Sequence, residues 1–245
     1  MPRFLPTLTL AAAVVMAAAV LERPTAAQET GGNGVYTTQF ENDWLRVQRV
    51  RYPANSKVPV HGHPSTVTAY VYLSESSPVR FTHHGGRTHV VTRQPTTPGG
   101  FRVSRGGDES HAAENLGPIA SDYLRIEFKT EPAGNTSPFF RDSRPLTGAT
   151  KATSEERFAN GMMRISRVAI PAGQQIEVAA AAGAPALLLT LADASLTADG
   201  AALPLKIGQE RWLAANARQR LANTGKAAVE LIRIDVLTAP TKASR

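Results

Sequence analysis

Residues 40–55 read FENDWLRVQRVRYPAN, and residues 158–173 read FANGMMRISRVAIPAG, 118 positions further along the chain. The two stretches share, in order, a Phe, an Asn, two Arg, a Val, a Pro and an Ala. Near the end of each copy, residues 125–128 (RIEF) match residues 233–236 (RIDV). Self-similarity at a nearly fixed spacing is the signature of a repeated structural unit. We therefore predict two copies of one domain, at residues 36–129 and 155–237.

Within each copy the hydrophobic pattern is that of strands. In residues 123–128 (YLRIEF), apolar side chains at positions 124, 126 and 128 alternate with polar or amphipathic ones. Such alternation is typical of half-buried antiparallel strands, and turn signals such as PGG at 98–100 separate the strand-like runs. Many short strands with regular turns predict an all-β fold of two tandem jelly-roll β-barrels. Residues 130–154, rich in Pro, Gly, Ser and Thr, are the predicted linker, with Phe139 and Phe140 docking on one barrel.

The first 27 residues have the composition of a secretory signal peptide. Arg3 precedes an uncharged, largely apolar stretch over residues 4–21, and the small residues Thr25 and Ala27 suit a cleavage site. We expect cleavage after Ala27 and a periplasmic or secreted protein without stable membrane insertion. The rival interpretation is an uncleaved anchor, whose length the stretch approaches, although it is mostly Ala and contains Pro6.

Composition excludes several classes of function. The chain has no cysteine, so it cannot use a disulfide framework, a thiol nucleophile or a thiolate metal site. Lys and Arg number 27 against 20 Asp and Glu, a net charge of +7. These basic residues are scattered rather than clustered, so no nucleic-acid partner is expected, whereas a small anionic ligand would suit the positive charge. The sequence has no nucleophile elbow, phosphate loop or dinucleotide fingerprint.

Three of the six histidines form a candidate metal site. His61 and His63 lie in the run VPVHGHP, and residues two apart in a strand project from the same face. His111 precedes the strand at 123–128, and an antiparallel return would bring it opposite the pair. Of the other histidines, we expect His83 and neighbouring His84 on a solvated hairpin tip before two glycines.

One histidine and a pair of arginines have uncertain directions. His89, within the strand-like run THVVT, is an alternative fourth ligand. Arg49 and Arg167 occupy matching positions in the two copies. Each would either point into its barrel and clamp a carboxylate, or form a structural ion pair or lie along apolar surface.

The histidine pattern resembles that of the cupin superfamily. That family's first motif is G-x5-H-x-H-x(3,4)-E-x6-G, and its second is G-x5-P-x-G-x2-H-x3-N. His61 and His63 match the pair of the first motif, and His111 with Asn115 matches H-x3-N of the second. Gly106 or its neighbour stands where the second motif has glycine. The resemblance extends over both copies and implies a two-domain cupin protein.

The sequence departs from the family pattern at defined positions. The motif's glutamate would fall at Val67 or Thr68, neither of which is an anionic ligand. In the second copy the three histidine positions become Ala179, Ala181 and Gln219, so that copy is predicted to be a degenerate barrel without a metal site.

The resemblance implies one divalent transition metal ion held by His61, His63 and His111. Nitrogen ligands suit Fe, Zn, Mn, Ni or Cu. An enzymatic form would be a metal-dependent, dioxygenase-like oxidoreductase acting on a small anionic compound. The alternative is a non-enzymatic module that binds a small ligand or serves a structural role. Asp108, Glu109 and Glu114 are candidate outer partners of the site, and their spacing does not separate them.

The signal peptide generates the first testable prediction. Protein isolated from its native host should have the intact mass of a chain beginning at Gln28, because a signal peptidase cleaves after the small residues at 25 and 27. A mass that still includes residues 1–27 would contradict cleavage.

Overall fold

A computed structural model describes residues 35–85, 87–106, 109–131, 139–146 and 148–241. The predicted signal peptide and Asp108 lie outside the described residues. Within these ranges the regular structure consists of strands, and no helix long and apolar enough to cross a membrane occurs there. In chain order the strands are β1 (Tyr36–Glu41), β2 (Leu45–Tyr52), β3 (Lys57–His63), β4 (Thr68–Tyr72), β5 (Val79–His83), β6 (His89–Arg93), β7 (Phe101–Ser104), β8 (Glu109–Asn115), β9 (Ser121–Phe128), β10 (Phe139–Asp142), β11 (Thr153–Ala159), β12 (Met163–Ile170), β13 (Gln175–Ala179), β14 (Ala186–Thr190), β15 (Ala194–Ala198), β16 (Ala201–Leu205), β17 (Glu210–Leu213), β18 (Arg218–Asn223) and β19 (Val229–Val236).

The strand order repeats. In the N-terminal half the larger sheet runs β1-β2-β9-β4-β7-β10 and the smaller one β3-β8-β5-β6. In the C-terminal half the corresponding sheets run β11-β12-β19-β14-β17 and β13-β18-β15-β16. Every recorded pairing between these strands is antiparallel, for example β2 with β9 and β12 with β19. The prediction of an all-β fold of two jelly-roll barrels is confirmed.

The matching residues of the opening stretches build matching local structures. The Oδ1 atom of Asn42 accepts hydrogen bonds from the backbone N–H groups of residues 44 and 45, at 2.9 and 3.0 Å. The Oδ1 atom of Asn160 accepts the same pair from residues 162 and 163, both at 2.9 Å. Both β1–β2 and β11–β12 also contain a register shift, after Thr38 and after Glu156. The shared Asn therefore fixes the hairpin that opens each barrel.

The central strands of the larger sheets are buried on both faces, which corrects the expectation that residues 123–128 form a half-buried strand. In β9, Leu124, Ile126 and Phe128 belong to a core that also contains residues of the C-terminal half. Tyr123, Arg125 and Glu127 face the interior of the N-terminal barrel, and all three are buried. The C-terminal members of the shared core are Phe158, Met162, Met163, Ile165, Leu187, Leu189, Ile232, Ile234 and Val236. The apolar faces of the two larger sheets thus pack against each other.

Arg49 and Arg167 lie at this contact, so of the two alternatives predicted for them the structural ion pair is confirmed and the ligand clamp inside the barrel is not. Arg49 pairs with Asp122 at 2.7 Å and donates to the carbonyl of residue 207 in the other barrel at 3.1 Å. Arg167 pairs with Glu230 at 2.5 Å and donates to the carbonyl of residue 99 in the N-terminal barrel. The strand face that each arginine shares with apolar residues faces outward, toward the other barrel. Both arginines form structural ion pairs, the second of the two alternatives.

The predicted linker contains a strand. Residues 139–142 form β10, which pairs with β7 of the N-terminal barrel. The ring of Phe140 packs against the shared core, with its centroid 5.7 Å from that of Phe101 and 4.8 Å from that of Phe158. This segment therefore adds to the contact between the barrels.

The shared core generates a stability prediction. Leu187 is fully buried within it, and Leu187→Ala should lower the free energy of unfolding by about 2–5 kcal/mol, because a cavity remains where the side chain was. Since both barrels share this core, chemical denaturation should shift as a single transition reported equally by both halves. The control is Leu116→Ala, at a position 41% exposed, where a change within about 0.5 kcal/mol is expected. Two separate transitions, only one of them shifted, would contradict the shared core.

Candidate metal centre

A β-bulge orients the first two histidines. In the β3–β8 ladder Val58 lies opposite Ala113, but His61 lies opposite His111, so β3 contains one extra residue between these pairs. A one-residue shift moves the following side chains to the other face of the sheet. As a result His61 and His63 share the inward face of buried Val58. The equivalent ladder of the second copy, β13–β18, pairs without a shift.

The three sequence-predicted residues converge. The ring centroid of His61 lies 4.9 Å from that of His63 and 4.7 Å from that of His111, and the His63–His111 distance is 5.2 Å. One ring nitrogen from each of the three lies within 4.8 Å of the others. His111 is buried, and its Nε2 atom has no hydrogen-bond partner among the described residues. An orphaned buried nitrogen beside two other imidazoles is the donor set that a borderline divalent ion takes.

Backbone contact fixes the tautomer of His61. Its Nδ1 atom lies 2.8 Å from the carbonyl oxygen of Pro59, and a carbonyl can only accept, so Nδ1 carries the proton. Nε2 then carries the lone pair with which the ring can bind a ligand, the arrangement that orients metal-binding histidines in general. Burial lowers the pKa of His61, although the Pro59 contact opposes this. Burial also lowers the pKa of His63, with the Arg125 guanidinium adding to the effect. Both imidazoles are therefore held neutral, as metal binding requires.

Sequence reasoning missed Tyr36, which closes the site from β1. Its hydroxyl lies 2.8 Å from Nε2 of His61 and 3.5 Å from Nε2 of His63. Because His61 Nε2 has no proton, the hydroxyl donates to it. Behind Tyr36, the hydroxyl of Tyr52 lies 2.7 Å away, and that of Tyr123 donates to Tyr52 at 3.3 Å. No motif contains these tyrosines, and only the three-dimensional structure brings them together.

Glu109 is the carboxylate of the site. Its Oε1 atom lies 3.1 Å from Nδ1 of His111. Burial acts to raise the pKa of Glu109, but His111 and Arg125 outweigh burial and hold this pKa well below its usual value. Of the two candidate outer partners among the described residues, Glu109 is the one at the site, because Glu114 instead forms an ion pair with Arg80 at the barrel surface.

The expectation that His83 lies on a solvated hairpin tip is wrong. His83 is the last residue of β5 and lies directly opposite His111 in the β5–β8 ladder. Its side chain is 17% exposed, and its ring stacks on that of His89 at 4.6 Å. Together with Glu109 and His111 it makes a second group of close donor atoms. His89 is exposed and belongs to neither group, whereas exposed His84 follows the strand as expected.

Two further motif residues have structural roles. The Nδ2 atom of Asn115 donates to the carbonyls of Tyr52 and Ile119, at 3.3 and 2.9 Å. Asn223 makes the same bridge in the second copy, at 2.8 Å to the carbonyls of residues 170 and 227. Gly106 has φ = 80°, and a Cβ there would lie 2.2 Å from a backbone oxygen of Thr66. Asn115 therefore anchors a turn rather than a ligand, and position 106 requires glycine.

The second barrel has no equivalent site. The C-terminal copy contains no histidine, and Gln219 accepts a hydrogen bond from Nε of Arg211 at 3.2 Å. The interior of this barrel is an apolar core that includes Val168, Leu188, Leu196, Leu221 and Leu231. In the N-terminal barrel, by contrast, all five tyrosines of the chain line the interior.

Comparison with known proteins gives no match in sequence. No family model matches the chain, and no curated protein matches it.

Solved structures do match. AerE from Microcystis aeruginosa superposes with a TM-score of 0.61 at 15% identity, covering 82% of this chain and 91% of that one. A putative glyoxylate-induced protein from Pseudomonas aeruginosa gives a TM-score of 0.61 at 13% identity, with 90% and 87% covered. A variant of the salicylate 1,2-dioxygenase from Pseudoaminobacter salicylatoxidans gives 0.50 at 11% identity, with 83% and 76% covered. These similarities concern the fold. Since the structural neighbours of the chain are cupin-fold proteins, its two barrels have the cupin fold in tandem.

Proposed function

We propose that this chain is an exported, metal-dependent oxidoreductase of the dioxygenase-like kind that acts on a small anionic compound. The observation that carries the proposal is the convergence of His61, His63 and His111, with a buried nitrogen of His111 left without a partner. The fold similarity to a salicylate 1,2-dioxygenase is consistent with this chemistry.

When bound, the divalent ion would supply Lewis acidity or oxygen activation. The three imidazoles would hold it as neutral ligands, so the ion would keep its full positive charge and favour an anionic substrate. Glu109 orients His111 from behind, the role that outer carboxylates have at histidine metal sites. Tyr36 lies directly beside the ligand nitrogens, and its hydroxyl proton, which Nε2 of His61 accepts in the metal-free protein, would become available to a substrate oxygen once that nitrogen is a ligand. Arg125, which pairs with Glu127 at 2.7 Å and donates from Nη1 to Tyr70 at 2.9 Å, lies in the same interior.

The alternative is a non-enzymatic module that binds a small ligand. It is favoured by the aromatic and basic lining of the N-terminal barrel, which exists independently of any ion. Oxygen uptake in the presence of small carboxylic acids, dependent on the metal and lost on chelation, separates the two functions.

Metal content tests the proposal. Protein purified without a histidine tag should contain close to one divalent transition metal ion per chain by elemental analysis. His61→Ala and His111→Ala should each lose most of it, because two remaining imidazoles hold a borderline ion poorly.

The matched control is His84→Ala, since His84 is exposed and lies outside both donor groups. His83 cannot serve as a control, because it lies beside Glu109 and His111. Equal metal content in the wild type and all three variants would refute the metal centre.

A further inference from the structure

A cavity of about 220 Å³ opens inside the N-terminal barrel, next to the histidines. Phe81 separates the two places, with its ring centroid 5.0 Å from that of His111 and 4.5 Å from the Arg93 guanidinium carbon. The aromatic part of the wall consists of Tyr52, Tyr70, Tyr72, Phe81, Phe101 and Tyr123. A cavity of about 150 Å³ is large enough for benzene, so this one has room for an aromatic ring bearing a polar substituent.

Arg93 and Arg102 lie at this cavity, and neither has a carboxylate partner among the described residues. Arg93 lines it, and among the described residues no hydrogen bond or ion pair to Arg93 is found. Arg102 is 4% exposed and lies behind the wall, where its Nη2 atom has no hydrogen-bond partner in the described part of the chain. Burial lowers the pKa of Arg93, and the nearby charge of Arg102 adds to this. Arg102 is buried and Arg93 is partly buried, and like charges withdrawn from water are unfavourable unless an opposite charge joins them.

Two tyrosines of the cavity wall accept hydrogen bonds from arginines and keep their hydroxyl protons for a ligand. The hydroxyl of Tyr72 accepts from Nε of Arg102 at 3.0 Å, and the hydroxyl of Tyr70 accepts from Nη1 of Arg125 at 2.9 Å. Arg102 also stacks on the ring of Tyr70, with its Cζ atom 3.5 Å from the ring centroid. Each hydroxyl uses a lone pair on an arginine and keeps its own proton for another acceptor. Hydrogen bonds of this kind to an anion are stronger than neutral ones.

The carboxylate already at the cavity does not neutralise the arginines. Asp142 lines the cavity, but its Oδ1 atom binds Nε of Arg144 at 2.8 Å, and Oδ2 lies 3.7 Å from Arg157 and 3.8 Å from Arg167. Its charge is therefore balanced by other residues.

We propose that this cavity is a binding site for an aromatic carboxylate, held by Arg93 and by the hydroxyl groups of Tyr70 and Tyr72. Arg102 acts through Tyr72 as a positioning residue. The carboxylate supplies the negative charge that the two arginines lack, and the ring of the ligand packs against the aromatic wall. This inference deepens the proposed function, since it names the class of the anionic compound, but the site contains none of the predicted metal ligands.

Benzoate is the probe, and the protein is first treated with a chelator to remove metal. Isothermal titration of the metal-free full chain should show saturable binding of one benzoate, with benzamide, its uncharged counterpart of the same shape, binding much more weakly. Arg93→Gln and Tyr72→Phe should each weaken benzoate binding, the arginine change by about ten- to a hundredfold, as expected for loss of a charge-assisted hydrogen bond. Arg102→Gln should weaken it too, while leaving thermal stability unchanged or higher, because an unpaired buried charge is removed.

The matched controls separate this site from the metal centre. Arg87→Gln removes the same charge from an exposed turn and should leave the benzoate affinity unchanged. His61→Ala should also bind benzoate normally, even when its metal content is lost. Absence of benzoate binding to the metal-free wild type, equal binding of benzamide, or unchanged affinity in Arg93→Gln would overturn the proposal. Loss of benzoate affinity in His61→Ala would show instead that the anion binds at the histidines.

Discussion

The packing of the two larger sheets against each other is the interaction on which the rest of the structure depends. Leu124 and Ile126 in one barrel meet Leu187 and Ile232 in the other, and all four are fully buried. Burial of apolar area at about 25 cal/mol per Å² is the main stabilising contribution in such a core. Because this contact supplies a core outside the barrels, the interior of the N-terminal barrel can contain tyrosines, arginines and histidines. The duplication thus provides the structural basis for the site.

The two copies have diverged in their interiors and not in their framework. The Asn turns, the bulges in the first hairpins and the paired arginines at the contact recur in both halves. The interior of the C-terminal barrel is aliphatic, whereas the N-terminal one holds polar groups whose burial costs free energy unless each finds a partner. Among the described residues of this interior, the atoms left without a hydrogen-bond partner include Nε2 of His111 and Nη2 of Arg102. The lone pair of His111 is complementary to a metal ion, and the cation of Arg102 is complementary to an anion.

The sequence was sufficient to predict the duplication and the all-β class, because these depend on local periodicity and spacing. The convergence of His61, His63 and His111 was predicted from the same-face spacing of the first two and from the resemblance of the His111 segment to the second cupin motif. It was not sufficient for the direction of Arg49, since alternation shows that it shares a face with apolar residues but not which of two buried faces that is. His83 was misplaced because its position depends on its pairing with β8, a long-range register that the flanking glycines conceal. Tyr36 belongs to the site through tertiary contacts that its sequence neighbours do not indicate. Glu109 was a candidate from the sequence, but only its contact with His111 in the structure separates it from Glu114.

The central claim is that the N-terminal barrel binds a metal ion through three imidazoles. X-ray absorption spectroscopy of the metal-loaded protein measures this coordination directly. The account predicts nitrogen or oxygen neighbours at about 2.0–2.2 Å, together with the outer-shell scattering of three imidazole rings, reduced to two rings in His111→Ala. A first shell of oxygen atoms with no imidazole scattering, identical in the wild type and in His111→Ala, would contradict it.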